Sequence, residues 1–177
     1  INIARERTNG IDLSAQYRLD TSIGTFRLGG NYACVRRHDI QVYAGEAMVD
    51  EFAVNSGYDI PRTKASASVS WERNAWTATL HGERLGRLPT SDSYDQVYDP
   101  ESGDSPWIGA TYRYNASLQY RFTDHAQLSL TVTNLFDKMP PHDRTYTSYP
   151  YYDVSWFDTV GRSVYLQYTQ KFGGSAL

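Results

Sequence analysis

Residues 111–133 read TYRYNASLQYRFTDHAQLSLTVT, and along that stretch the chemistry changes at nearly every step. Tyr112, Tyr114, Ala116, Leu118, Tyr120 and Phe122 alternate with Thr111, Arg113, Asn115, Ser117, Gln119 and Arg121. After a break at Thr123–His125, Ala126, Leu128, Leu130 and Val132 alternate with Gln127, Ser129 and Thr131. A period of two places the first set of each run on one face of a β-strand and the second set on the other. The stretch therefore predicts a hairpin with one apolar and one polar face, closed by a tight turn.

The same pattern extends outward in both directions. Ile11, Leu13, Ala15, Tyr17 and Leu19 alternate with Asp12, Ser14, Gln16 and Arg18; Phe26, Leu28, Gly30, Tyr32 and Cys34 follow with the same period. Ala65 to Trp71 and Trp76 to Leu80 form another pair, and Val164, Leu166, Tyr168 and Phe172 form a last strand. The connections between these seven strands alternate in length. Asp20–Gly24, Glu72–Ala75 and Thr123–His125 are tight, whereas Arg37–Arg62, Leu85–Gly109 and Lys138–Gly161 are each far longer than ordinary hairpin loops of about 2–5 residues.

A soluble antiparallel sheet with one buried face also alternates. Two features favour a membrane barrel. Transmembrane barrels put short turns at one end and long loops at the other. The apolar positions named above contain no Lys, Arg, Asp or Glu, and Tyr17, Trp71, Trp76, Tyr120 and Phe122 near the tight turns suit an interfacial aromatic girdle. The fold expected is an all-β antiparallel transmembrane barrel, of which this chain supplies about seven strands. Composition agrees. Only 40% of residues are hydrophobic, fifteen of them Tyr, and mean hydropathy is −0.58, too polar for a helical bundle.

Other classes find little support. A net charge of −3 without a basic stripe gives no footprint for nucleic acid. Cys34 has no partner for a disulfide and reads as a small packed residue. His38, His81, His125 and His142 are dispersed, so no metal, cofactor or catalytic grouping is expected. Asp95, Asp99, Glu101 and Asp104 offer hard oxygen ligands but match no calcium-loop spacing and read as a solvated acidic loop. Gly29–Gly30 lies within a strand and marks a bend or a close approach.

Three motifs carry a family resemblance. Asn134–Leu135–Phe136–Asp137–Lys138, followed by Pro140–Pro141, resembles the element that ends the penultimate strand of TonB-dependent outer-membrane receptors. Gly161–Arg162, leading to Phe172, resembles their closing strand, and residues 2–12 (NIARERTNGID) resemble a segment where an outer loop feeds a descending strand. The resemblance implies the C-terminal portion of a 22-stranded barrel in the bacterial outer membrane, its lumen closed by a plug domain encoded upstream. It implies as partners membrane lipid, the rest of the barrel, the plug, TonB acting through the missing N-terminal part, and a scarce nutrient bound at the surface. Residues 1–172 are expected to be barrel and 173–177 a tail. No signal peptide opens the sequence, and Ile1 reads as a start within a longer protein.

The last long segment is the candidate for ligand contact. Tyr146, Tyr149, Tyr151, Tyr152 and Trp156, with Asp153 among them, combine aromatic faces with a carboxylate, a combination that suits sugars, catecholates or peptide-like ligands. The balance between a ferric siderophore and an oligosaccharide tilts towards the carbohydrate. The bland reading is that these aromatics pack the loops or form the outer girdle. The functional alternatives are a passive outer-membrane channel and a soluble β-sandwich that binds carbohydrate.

Overall fold

The structure, a computed structural model, describes residues 5–173. Seven long strands follow one another in a single antiparallel meander: β1 (Arg5–Thr21), β2 (Gly24–Gln41), β4 (Thr63–Arg73), β5 (Trp76–Leu85), β8 (Thr111–Thr123), β9 (Ala126–Thr133) and β10 (Ser163–Gln170). A two-residue strand β3 (Val49–Asp50) pairs with β2, and β6 (Leu88–Pro89) pairs with β7 (Trp107–Ile108) apart from the main sheet. Each expected strand is present, and among the described residues no second sheet packs face to face on the first, as a sandwich would require.

Turn chemistry sets the register. The tight connections are Ser22–Ile23, Asn74–Ala75 and Asp124–His125. Asn74 has φ +53°, a conformation that asparagine tolerates and that two-residue hairpins favour. At the first turn Thr21 Oγ1 accepts from Ile23 N and donates to Gly24 O. Gly24 itself has φ +132°, and a Cβ there would stand 2.6 Å from Glu72 O.

The resulting pairings line up side chains across the whole sheet. One row on the apolar face runs Tyr17, Leu28, Val69, Leu80, Ala116, Val132, Val164; the next runs Leu19, Phe26, Trp71, Ala78, Leu118, Leu130, Leu166. The facing rows are polar, such as Asp20, Thr25, Glu72, Thr77, Gln119, Ser129, Gln167. Arg27 pairs with Glu72 on that polar side. The apolar side is left uncovered: Leu166 is 69% exposed and Leu80 47%.

Aromatic residues bracket the apolar rows. At the short-turn end Trp76 packs on Tyr120 with ring centroids 4.5 Å apart, Tyr120 meets Phe122 edge-on at 4.8 Å, and Trp71 Nε1 donates to Ile23 O. Tyr17, expected in this group, lies two residues further from the turn, beside Leu28. At the loop end Tyr114 meets Phe136 edge-on at 5.4 Å, its ring lying over Gly82, where a Cβ would approach to 3.0 Å. The ten steps from Tyr112 to Phe122 in β8, at ~3.4 Å each and tilted by ~40°, span roughly 26 Å, the height of a transmembrane apolar band.

Three details depart from the expectation. First, β5 runs on to Leu85, so Arg84 joins the apolar side, in register with Ala65 and Tyr112. Its Nη1 donates to Thr63 Oγ1 at 2.8 Å and its guanidinium leans over the Tyr112 ring, the arrangement of a cation held at an interface. Second, β1 and β2 extend well beyond the apolar rows, and Arg36 is left unpaired by a bulge opposite Asn9 and Gly10. Third, β10 ends at Gln170, although Lys171 N still donates to His125 O, and Phe172 is 91% exposed. Residues 1–4, which include the start of the first motif, and residues 174–177 of the expected tail lie outside the described residues.

Candidate functional site

The polar wall of the sheet meets the three long loops at one end, and there the described residues form their buried core. Leu88, Tyr152 and Phe157 are buried together, with Leu85 and Trp156 packed against them. Ile40, Phe52 and Ile108 are buried in the same region of the chain, all within or bordering the loops.

The motif residues close the base of the last loop. Asn134, 3% exposed and at φ +49°, accepts from Lys138 N and donates to Lys138 O, which turns the chain out of β9. Asp137 Oδ1 accepts from Arg162 N at 2.7 Å, joining the loop's first residues to its last. A Cβ on Gly161 would fall 2.7 Å from that same oxygen, so a side chain there would have to push the Asp137 carboxylate aside. Leu135 N donates to Tyr114 O, and Phe136 points to the outer aromatic group. The motif is thus a clip built from both ends of one loop.

Three polar staples join the loops to one another. Asn55 accepts from Tyr98 N and donates to Tyr98 O, binding the first loop to the second. Asp143 Oδ2 accepts from Ser91 N at 2.7 Å, and Thr145 Oγ1 from Asp92 N, which fastens the third loop to the first turn of the helix α1 (Ser91–Tyr94) in the second. Trp156 Nε1 donates to Asp59 Oδ2 at 3.0 Å, linking the third loop to the first. A fourth contact holds the first loop to the long hairpin: His38 lies between Glu6 and the buried Glu51. Burial holds the Glu51 carboxyl above the usual carboxylate range and pushes the Tyr58 phenol up as well.

Two cavities of about 390 Å³ each flank Trp156. The first lies between the last loop and the top row of the polar wall, Asn31, Ser66, Glu83 and Arg113, with Lys64 and Lys138 at its margin. Arg113 is committed to Asp158, with Nη1–Oδ2 at 2.8 Å, and this bond holds the Asp158 carboxyl below the usual range. Lys64 and Lys138 form no salt bridge among the described residues. The second cavity carries Asp59, Asp95, Asp143 and Asp153 and, among the described residues, is lined by no Lys, Arg or His.

The candidate contact residues divide between packing and exposure. Tyr152 is 7% exposed and packs edge-on against Phe157, as the bland reading of the loop aromatics expects. Trp156 is half-buried between the cavities, while Tyr146 and Asp153 line the acidic one. Tyr149 is 84% exposed and stacks edge-on with Tyr151, which lies beside His142. Tyr151 holds φ +66°, a strained conformation for a bulky residue, fixed by Tyr151 N donating to Ser148 O and Asp143 N donating to Tyr151 O. Lys64, Asp59 and Arg113 belong to the site but carry no aromatic or motif signal in sequence, and Lys138 is marked only as the end of the family motif. Alternation places Lys64 and Arg113 on the polar wall; nothing local marks their height along it. Among the described residues no group of three or more His, Cys, Asp or Glu is placed to hold a metal ion.

Comparison with known proteins agrees with this geometry. Residues 1–135 match a family model described as TonB dependent receptor-like, beta-barrel. Two crystal structures of mutant forms of the ferric enterobactin receptor PfeA from Pseudomonas aeruginosa are similar, each with TM-score 0.59 and 16% identity. Each match covers 93% of this chain and 22% of the receptor, so the chain spans about a fifth of the length of those proteins. No curated protein sequence matches the chain at a significant level.

Proposed function

The chain belongs to the TonB-dependent receptor β-barrel family, and from that premise we propose that it forms the last strands and outer loops of a receptor for active uptake of an anionic ferric siderophore across the bacterial outer membrane. On this reading the apolar rows face lipid, the polar wall faces a lumen closed by the plug, and TonB acts through a part of the protein upstream. The observation that carries the ligand class is the first cavity. Lys64 and Lys138 border it without salt bridges among the described residues, against the single carboxylate of Glu83, and Trp156 and Phe157 supply aromatic surface. Ammonium groups without a carboxylate partner, at the margin of a cavity with aromatic surface, suit an anion with planar rings better than a neutral sugar.

A second reading rests on a different surface. The exposed Tyr149 and Tyr151, with His142 beside them, form an aromatic shelf on which a sugar ring could stack, the role expected of this loop for an oligosaccharide. Uptake by cells carrying the full-length receptor separates the two. Accumulation of a ferric tris-catecholate, abolished by collapsing the proton-motive force and reduced at least about tenfold (~1.4 kcal/mol) by Lys64→Glu with Lys138→Glu, supports the siderophore reading. Accumulation of oligosaccharide instead, lost in Tyr149→Ala with Tyr151→Ala, supports the shelf. Uptake that survives loss of the proton-motive force would mean a passive channel.

A further inference from the structure

Among the described residues Trp156 is the one side chain that borders both cavities, and it separates groups of opposite charge. Its ring face carries the Lys64 ammonium, with Nζ 4.7 Å from the centroid. Its ring edge donates Nε1–H to Asp59 Oδ2 at 3.0 Å. The acidic cavity begins at that edge, and of its carboxylates Asp143 is already spent on Ser91 N and Thr145. Lys64 is nonetheless without a salt bridge among the described residues. Opposite charges that touch one side chain attract each other, and a group that stands between them keeps them from pairing. Here the indole does, satisfying the ammonium with its π-face and the carboxylate with its N–H.

We propose that Trp156 is a positioning residue for the anionic ligand: it keeps Lys64 and Asp59 from forming an ion pair and so leaves the Lys64 ammonium available in the first cavity. The inference rests on the siderophore reading for its consequence, though not for its mechanism. A cation–π contact leaves the other side of the ammonium free to meet an anion, whereas a carboxylate partner would cancel its charge. Without the indole, Lys64 turns to Asp59 and the cavity loses one of its two ammonium groups. Packing against Leu88 and Phe157 fixes the ring, so the separation is built into the loop core.

The test is a double-mutant cycle on the full-length receptor in detergent, with two readouts. The first needs no ligand: acetylation of Lys64 by acetic anhydride, followed by mass spectrometry. In the native background Asp59→Asn should change the rate by less than about twofold, whereas in Trp156→Ala it should raise it by about fivefold, because only there does Asp59 hold Lys64. The second readout is affinity for a ferric tris-catecholate (anionic) against a ferric trihydroxamate (neutral). Trp156→Ala should weaken the anionic probe by about tenfold (~1.4 kcal/mol) and the neutral one by no more than about twofold, and adding Asp59→Asn should restore most of the loss. Trp156→Phe, which keeps the ring face, should lose less than Trp156→Ala. An equal effect of Asp59→Asn on Lys64 labelling in both backgrounds, or an equal loss of both probes that Asp59→Asn does not rescue, overturns the proposal. A native receptor that shows no preference for the anionic probe sinks the siderophore reading, while the labelling cycle still decides the role of Trp156.

Discussion

The sheet and the loop cluster are built from the same apolar residue types and dispose of them in opposite ways. On the sheet, Leu80, Leu118, Leu130, Val164 and Leu166 stand exposed in continuous rows. In the loops, Leu88, Tyr152 and Phe157 are buried behind polar staples. Burial of apolar surface drives folding wherever the surrounding medium is water. The loops obey that rule on their own, with a small core and hydrogen bonds from loop to loop, whereas the sheet leaves its apolar rows uncovered. What differs between the two regions is the solvent each is built for, and that difference can be probed from either side.

The largest effect is expected in the loop core. Phe157→Ala should remove about 3–5 kcal/mol from the loop cluster. Hydrogen exchange should then show lost protection across the loop amides, while the heat-modifiable mobility of the barrel stays unchanged. On the sheet the discriminating change is a charge. Leu130→Arg should cost about 2–4 kcal/mol and block barrel assembly, whereas the adjacent Ser129→Arg, on the polar side, should assemble. Comparable defects from both would erase the distinction between the faces.

Smaller changes sharpen the comparison within the loops. Asn55→Ala removes both side-chain bonds to the Tyr98 backbone and should cost about 1–3 kcal/mol, visible as faster exchange among the second-loop amides around Tyr98, whose own N–H keeps Asp92 O, with the third loop unaffected. The least effect belongs to Asp158. Its carboxyl is held below the usual range by the bond from Arg113, so its contribution is complete above the ordinary aspartate value and is lost as pH falls through the lowered one. Exchange at the Val160 amide, which donates to Asp158 Oδ1, should quicken only in that acid window and should lose this pH dependence in Asp158→Asn.

The sheet was far more legible in the sequence than the site. Period-two alternation is a local signal, and it located all seven strands, the tight turns and the facing of Leu130 against Ser129. It failed where the alternation itself stops. Residues 5–10 carry no apolar side chain and residues 36–39 are all Arg, His or Asp, so the upper part of the first hairpin lacks the alternation that marks a strand. Arg84 lies two pairs beyond Leu80 and His81, past Gly82, where the apolar series has lost its side chains and a cation returns at the interface. The motif around Asn134 could be recognised, but its role as a clip emerges only when Gly161 and Arg162 are brought back to Asp137. The staples Asn55–Tyr98 and Asp143–Ser91 join residues 43 and 52 apart in loops without periodicity, and no local pattern encodes such pairs. For the same reason the aromatic loop could be singled out, but not the division between Tyr152, which packs the core, and Tyr149, which faces outward.

The claim beneath all of this is that the two sides of the sheet meet different media. The most direct measurement is nitroxide scanning of β9 in the full-length receptor in the outer membrane, with Cys34→Ser as background and single cysteines from Gln127 to Val132. Collision with oxygen, which concentrates in lipid, should be high at Leu128, Leu130 and Val132 and low at Gln127, Ser129 and Thr131, a strict period of two. Uniform oxygen accessibility along the strand, or the opposite phase, would contradict the lipid-facing assignment and with it the receptor-wall account of this chain.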